Sequence, residues 1–394
     1  MNIKTALGWA PAAALAIGAL VTGACGAPGG QSGNASGPIV IGGLTQTTGV
    51  DAYVGAQCKD AMQLAVDQAN AAGGINGRQI QLTFEDDQDD PAKAATLTQK
   101  MINEGVAAVV EHDSSAITLA VLPIANRARV VVMSVSATSP SVTERGYHYF
   151  FRTINRADRG QPVIEADYAV EALHATSAAV LNDKTTYGQS FTDAFAAEFA
   201  AKGGKIIATD SITAGAADYT PILTRIKSNA PDVLVYGGYY PEAGLIAKQM
   251  KQLDMSTAFM SAALLGTNYT EIAGPGAVGT INGGAPDPKW FPPAKKFFDA
   301  FSNRYHQNPT EWAAHAYDAT NILIAALRKS GSDNKQALRN AVAGVSNYPG
   351  TYGPISFDAK GDITTNGNVI FVFRGGQDWA AYGRANGKWS LIRE

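Results

Sequence analysis

The sequence predicts an α/β protein built from two wound parallel-sheet units. Three observations carry this. The chain has 394 residues, beyond the roughly 250–300 that one hydrophobic core supports. Short β-branched runs alternate with helical periodicity twice over. Only 16% of residues are charged, against about 25% in typical soluble domains, while glycine is abundant.

The first unit opens with Pro38–Leu44 as a buried strand. From Tyr53 to Ala72, residues Ala61, Leu64, Ala65, Gln68 and Ala69 recur at helical spacing, and Gly73-Gly74 ends the helix. Asn76-Gly77 turns the chain, and Ile80, Leu82 and Phe84 alternate as a strand. Asp90-Pro91 supplies an N-cap and a first-turn proline for a helix to about Glu104. Val106–Val110 is a strand, Ile117–Arg127 a helix and Val130–Met133 a strand. This βαβαβαβ order implies a parallel sheet with helices on both faces.

The pattern then restarts. Helices are expected at Gln161–Leu173, Gly188–Ala201, Tyr219–Ser228 and Pro241–Leu253. Strands are expected at Ala178–Leu181, Lys205–Ala208, Val233–Tyr236 and Ala258–Met260. The last third reads as helices Pro292–His306, Thr310–Lys329 and Asn334–Ala343, then strands Ile355–Phe357 and Val369–Phe373. Asn386-Gly387, between Trp379 and Trp389, signals a hairpin. Such a tail completes both units, so the chain crosses between them about three times, making a multi-strand hinge. The expected division is 38–156 plus about 286–363 for lobe one, and 157–285 plus about 364–394 for lobe two.

Residues 1–24 read as a secretory signal: Lys4 precedes an apolar run from Ala6 to Val21, and no acid appears before Asp51. Small residues before Cys25 look like a bacterial lipoprotein signal, although Thr22 stands where Leu is usual. Acylation of Cys25 is therefore expected, with plain secretion as the alternative. Residues 25–37 form the anchor and a Gly/Ser/Asn/Pro linker. The expected location is the extracytoplasmic face of the cell membrane.

Composition excludes several classes. A formal charge of −3 gives no electrostatic footprint for nucleic acid. Two cysteines rule out a disulfide framework, and Cys58, in an apolar helical pattern, is expected to be a buried inert thiol. Gly274–Gly279 matches G-x-G-x-x-G literally, but Pro275 sits inside it and it opens no helix, so a turn is expected. Glu85–Asp90 lacks the glycine and distal Glu of a calcium loop and is expected to be a solvated loop ending in an N-cap. The five His residues show no metal-ligand spacing. His112 alone falls beside the candidate site, where a polar loop residue is expected. No nucleophile elbow or Walker A loop follows the signal segment, so an enzyme, a metal site and a cofactor are not expected.

Ligands of open α/β sheets sit beyond the carboxyl ends of strands. Two adjacent strand ends carry hydroxyls and free amides: Glu111–Ala116, including Ser114 and Ser115, and Ser134–Pro140, including Ser136, Ala137 and Thr138. Together they could hold a carboxylate without Arg or Lys; helix capping is the alternative role. The second unit offers Lys184–Gly188 and Tyr236–Glu242, whose tyrosines could close over an apolar ligand.

The chain from Pro38 resembles the type I periplasmic solute-binding proteins of ABC importers, in the Leu/Ile/Val-binding branch. The resemblance rests on Ala71–Gly77, Asp90-Pro91, Ser136–Pro140 with Thr143, Arg145–Tyr147, Phe151–Thr153, Lys184 with Tyr187-Gly188, Ile212–Gly215 with Asp218-Tyr219, Tyr236–Tyr239 with Pro241-Glu242, and Gly353–Ile355 with Phe357-Asp358 and Gly361-Asp362. It implies two Rossmann-like lobes closing on an amino acid, with permease and ATPase subunits as partners. Carried over, Ser115, Ala137 and Thr138 hold the α-carboxylate, and Tyr53, Tyr187 and Tyr239 line or cover the ligand. The acid that receives the α-ammonium falls on Ala263, so another acid substitutes or the ligand lacks that ammonium. Branched-chain amino acids come first; amides, urea, aromatic acids and a sensor role stay open. The family's lobe-one disulfide is missing, with Gln88 and Ser114 near its positions.

Overall fold

A computed structural model describes residues 37–49, 51–262, 267–286, 292–365, 367–376 and 378–393. The expected signal segment, the expected lipidation site Cys25 and Ala263 lie outside these residues.

The first half alternates strictly. Strands β1 (Ile39–Thr45), β2 (Ile80–Glu85), β3 (Ala108–His112), β4 (Val131–Ser134) and β5 (Phe150–Arg152) form one sheet in the order β2-β1-β3-β4-β5. All four pairings are parallel. Helices α1 (Ala52–Ala71), α2 (Pro91–Asn103) and α3 (Ser115–Ala128) connect the strands. Asp90 caps α2 as its sequence context predicts, its side chain accepting from the Ala92 and Lys93 amides. One face buries Leu44, Met101, Val109, Ile117, Val121 and Val132. The other buries Ile41, Leu64, Val110 and Met133, and Cys58 lies fully buried there.

The second sheet runs β15-β14-β13-β10-β9-β8-β6-β7. Its parallel part comprises β6 (Ser177–Asn182), β7 (Lys205–Ser211), β8 (Val233–Gly237), β9 (Ala258–Ser261) and β10 (Ile281–Gly284). Helices α4 (Gln161–Glu171), α5 (Thr186–Ala201), α6 (Thr220–Ser228), α7 (Tyr240–Gln252) and α8 (Thr267–Ala273) accompany it. The tail then divides. Helices α9 (Pro292–Tyr305), α10 (Glu311–Ser330) and α11 (Lys335–Ala343) return to the first core, with α10 packed along α1. After the small hairpin β11 (Tyr348–Gly350) and β12 (Gly353–Ile355), strands β13 (Val369–Gly375), β14 (Asp378–Ala385) and β15 (Lys388–Arg393) extend the second sheet antiparallel. The fold is two Rossmann-like lobes joined by several crossings, as the pattern predicts.

Several elements depart from expectation. Residues 355–357 are not a strand: β12 ends at Ile355, and Phe357 makes only an isolated bridge to Ile363. The short strands β5 and β10 carry too little periodicity to be read. β10 is Ile-Asn-Gly-Gly, a poor strand former that tertiary contacts hold in place. A Cβ on Gly283 would lie 2.9 Å from Gln161 Cγ, so glycine lets α4 lie close to the sheet. The loop before Asp90 is not simply solvated, because Asp87 is buried, and His112 is a buried residue of β3 rather than a loop residue. Residues Gly274–Ala277 form a short 3-10 turn, in keeping with the expected turn.

That α4 contact also titrates. The buried Glu165 accepts from the Gly283 amide at 2.7 Å and from Gln161 Nε2 at 3.1 Å. Burial pushes its carboxyl up to about 8. An unfolded Glu loses its proton near pH ~4.3, so between these values the folded chain holds the extra proton. The stabilisation is complete below the unfolded value and is lost as pH rises through about 8. Relative to Glu165→Gln, the wild type is expected to lose about 1.4 kcal/mol per pH unit across that window. Urea unfolding at a series of pH values checks this; parallel profiles would contradict it.

Candidate functional site

The carboxyl ends of β3 and β4 place the two hydroxyl-bearing loops side by side. The Val135 amide donates to Glu111 O at 3.0 Å, and Ser136 Oγ donates to Asp113 O at 2.8 Å. Ser114 caps α3, its side chain accepting from the Ile117 amide. Ser115 is buried, and its Oγ accepts from the Ser139 amide at 3.2 Å. The Ala137 amide donates to Ser134 Oγ at 3.2 Å. Several polar groups of these loops therefore satisfy one another.

Arg152, at the end of β5, fixes this arrangement. Its Nη1 donates to Ala137 O at 2.7 Å and to Ser139 O at 3.1 Å, and its Nη2 to Thr143 Oγ1 at 3.0 Å. Its Nε meets Asp362 Oδ1 at 2.5 Å, with side chains 0% and 1% exposed. Asp362 Oδ2 takes Thr143 Oγ1 at 3.1 Å and Arg156 Nη1 at 3.2 Å. Asp362 thus pairs with Arg152 and bridges it to Arg156, whose charge Glu144 and Asp158 also balance, and this locks the loop. Sequence reading placed Arg152 and Asp362 within family motifs but saw no role for them.

Thr138 is the exception in the locked loop. Its carbonyl accepts from the Ala157 amide at 2.8 Å, yet its Oγ1 is buried without a hydrogen-bond partner. It faces a cleft of about 820 Å³, the open mouth included, whose walls also carry Asn155, Gln161, Tyr187, Glu311 and His315. A buried hydroxyl without a partner costs free energy that a bound acceptor would recover.

The opposite wall comes from the second sheet. Thr185 caps α5 by accepting from the Gly188 amide at 2.9 Å. A Cβ on Gly188 would lie 2.5 Å from Gly237 O, so glycine permits the close approach of α5 to the end of β8. This brings Tyr187 and Tyr239 together, ring centroids 5.5 Å apart. Burial and neighbouring carboxylates raise both phenols, so they remain neutral donors. The structure thus joins Thr138 and Tyr187 in one cleft. Ser115 stands behind Thr138 through Ser139, and Tyr239 stands against Tyr187. Tyr53 is 57% exposed outside the cleft lining, its OH accepting from Gln57 Nε2 at 2.8 Å.

The buried histidines near the cleft are held by the fold. His112 Nδ1 lies 3.4 Å from Thr45 Oγ1, and its ring meets Trp312 edge-on at 6.1 Å. Burial lowers both His112 and His315 to about 4, so both stay neutral. Among the described residues, no group of three His, Cys, Asp or Glu side chains is placed to hold a metal ion, and no helix is long and apolar enough to cross a membrane.

Two wound lobes with a hydroxyl-lined strand-end cleft between them define a solute-binding architecture. A family model described as periplasmic binding protein matches residues 38–377, and the chain belongs to that family; its members bind solutes rather than transform them. The chain is 31% identical over 353 residues to a Leu/Ile/Val-binding protein homolog 2 from Brucella abortus, covering 88% of this chain and 94% of that one. It is 32% identical over 346 residues to the Leu/Ile/Val-binding protein BraC3 of Rhizobium johnstonii, covering 87% and 94%. Its fold matches the branched-chain amino acid transporter substrate-binding protein LivJ of Streptococcus pneumoniae, solved with isoleucine, at a TM-score of 0.77 and 28% identity, covering 90% of this chain and 99% of that one.

Proposed function

We propose that this chain is the extracytoplasmic receptor of an ABC importer and that it carries branched-chain amino acids. The observation that carries this reading is the unpartnered Thr138 hydroxyl, held by the Arg152-locked loop and facing Tyr187 across the cleft. In this reading Thr138 and Ser115 receive the α-carboxylate, and Tyr187 and Tyr239 cover the aliphatic part. The names of the relatives support the ligand class.

Function follows from differential contact. Ligand first meets lobe one; lobe two gains contacts only on closure, so ligand favours the closed form by that difference. The lobes are taken as 38–156 plus about 286–363 and 157–285 plus about 364–394. The closed form docks on a permease driven by an ATPase subunit. Acylated Cys25, tethered through the linker, keeps the receptor at the membrane face.

Thermal denaturation with a ligand panel tests the reading. Leucine, isoleucine and valine are expected to raise the melting temperature by several degrees, since 100-fold saturation adds about 2.7 kcal/mol. A shift confined to amides, urea or aromatic acids would contradict it.

A further inference from the structure

We propose that Glu311 is the group in the cleft that receives the ligand's ammonium, making the receptor selective for an amino acid over its deaminated analogue. The proposal deepens the binding function above and rests on it.

Glu311 is the first residue of α10, directly after the Thr310 cap, whose side chain accepts from the Ala313 amide. It lines the same cleft as Thr138 and Tyr187, so a carboxylate and an unpartnered hydroxyl face one space from the first lobe. Among the described residues, the Ala285 amide is the donor that reaches Glu311. Among the described residues of the cleft wall there is no Lys or Arg to neutralise the acid. Asp318 shares the wall, but its Oδ2 already accepts from the Thr351 amide at 2.7 Å and Thr351 Oγ1 at 2.8 Å. Glu311 is therefore the carboxylate with unused acceptor capacity.

An α-amino acid brings its ammonium to within one bond of the carbon that carries its carboxylate. Seating the carboxylate at Thr138 forces the ammonium into the same cleft. An ammonium left there without an acceptor costs several kcal/mol. Residues 262–264, which follow β9 in the sequence, are Ala-Ala-Leu and carry no charge. Burial holds the Glu311 carboxyl up to about 7, the behaviour of an acid that lacks a counter-charge until a cation arrives.

Glu311 also ties the start of α10 to Ala285, and the test separates the two roles. In Glu311→Gln the side-chain carbonyl still accepts from the Ala285 amide, and only the charge is lost. L-leucine and 4-methyl-2-oxopentanoate, its deaminated analogue, are titrated calorimetrically into wild type and Glu311→Gln at pH ~8. The wild type is expected to prefer leucine at least about tenfold, and the variant to lose at least about tenfold for leucine while keeping its affinity for the oxo acid, a loss typical of a charge-assisted hydrogen bond. The unliganded melting temperature at pH ~8 is expected to rise rather than fall, since the variant no longer buries an ionised carboxylate. Wild-type leucine affinity in the variant, or equal losses for both probes, would overturn this role and leave the receptor function standing. A wild type that binds neither probe would bring down both.

Discussion

Asp362→Ala is expected to destabilise the protein by about 3–5 kcal/mol, the cost of stranding a buried charge. The reason is specific. Asp362 and Arg152 pair at 2.5 Å with side chains 1% and 0% exposed, and the Arg156 guanidinium leans on the same carboxylate at 3.2 Å. Removing the acid leaves the fully buried Arg152 guanidinium without a carboxylate, while Arg156 keeps Glu144 and Asp158. The damage extends to function, because Arg152 holds the carbonyls of Ala137 and Ser139, and through them the orientation of Thr138. Urea unfolding gives the stability and calorimetry the affinity; both are expected to fall together. Replacing Arg152 and Asp362 simultaneously with apolar residues of similar volume is expected to recover part of the stability by removing the stranded charge, but not the binding, because the Ala137 and Ser139 carbonyls lose their donor. A loss below about 1 kcal/mol, the range of an exposed pair, would show that solvent reaches the pair.

Thr138→Ala is expected to weaken binding of L-leucine by roughly ten- to a hundredfold, the worth of one hydrogen bond to a charged group at about 1.5–3 kcal/mol. Unlike Asp362→Ala, it is expected to leave the unliganded protein as stable as before or slightly more so. Its hydroxyl has no partner in the structure, so its removal breaks nothing and relieves a desolvated polar atom. This opposition of sign distinguishes a group kept for the ligand from a group kept for the fold. Calorimetric titration reads the affinity, and unchanged affinity would remove Thr138 from the carboxylate anchor.

Legibility in the sequence followed locality. The Asp90-Pro91 cap, the helix before Gly73-Gly74 and the alternating strands of the first sheet declare themselves within a few residues. β10 does not, because its Asn282-Gly283-Gly284 makes a strand only when β13, some 90 residues later, pairs with Ile281–Gly284. The site divides in the same way. The hydroxyl loops at the ends of β3 and β4 could be named because strand ends are where such sheets bind. The Arg152–Asp362 lock could not be deduced from spacing, since its partners are 210 residues apart. Glu311 stands in the first turn of a helix, where an acid is ordinary; only the cleft shows that it shares a wall with Thr138 and Tyr187. Asp87 was misread because a run of acids normally faces water, whereas here it turns inward while Asp86 takes the Thr47 amide at 3.1 Å.

The central claim is that the amino acid lies between the lobes with its acid group on the front loop and its aliphatic body under the rear phenols. A crystal structure of the protein grown with L-leucine tests it most directly. The account predicts the leucine carboxylate within hydrogen-bond distance of Thr138 Oγ1, with Tyr187 and Tyr239 over the side chain. Leucine density elsewhere on the molecule, with the Thr138 hydroxyl still lacking a partner, would contradict it.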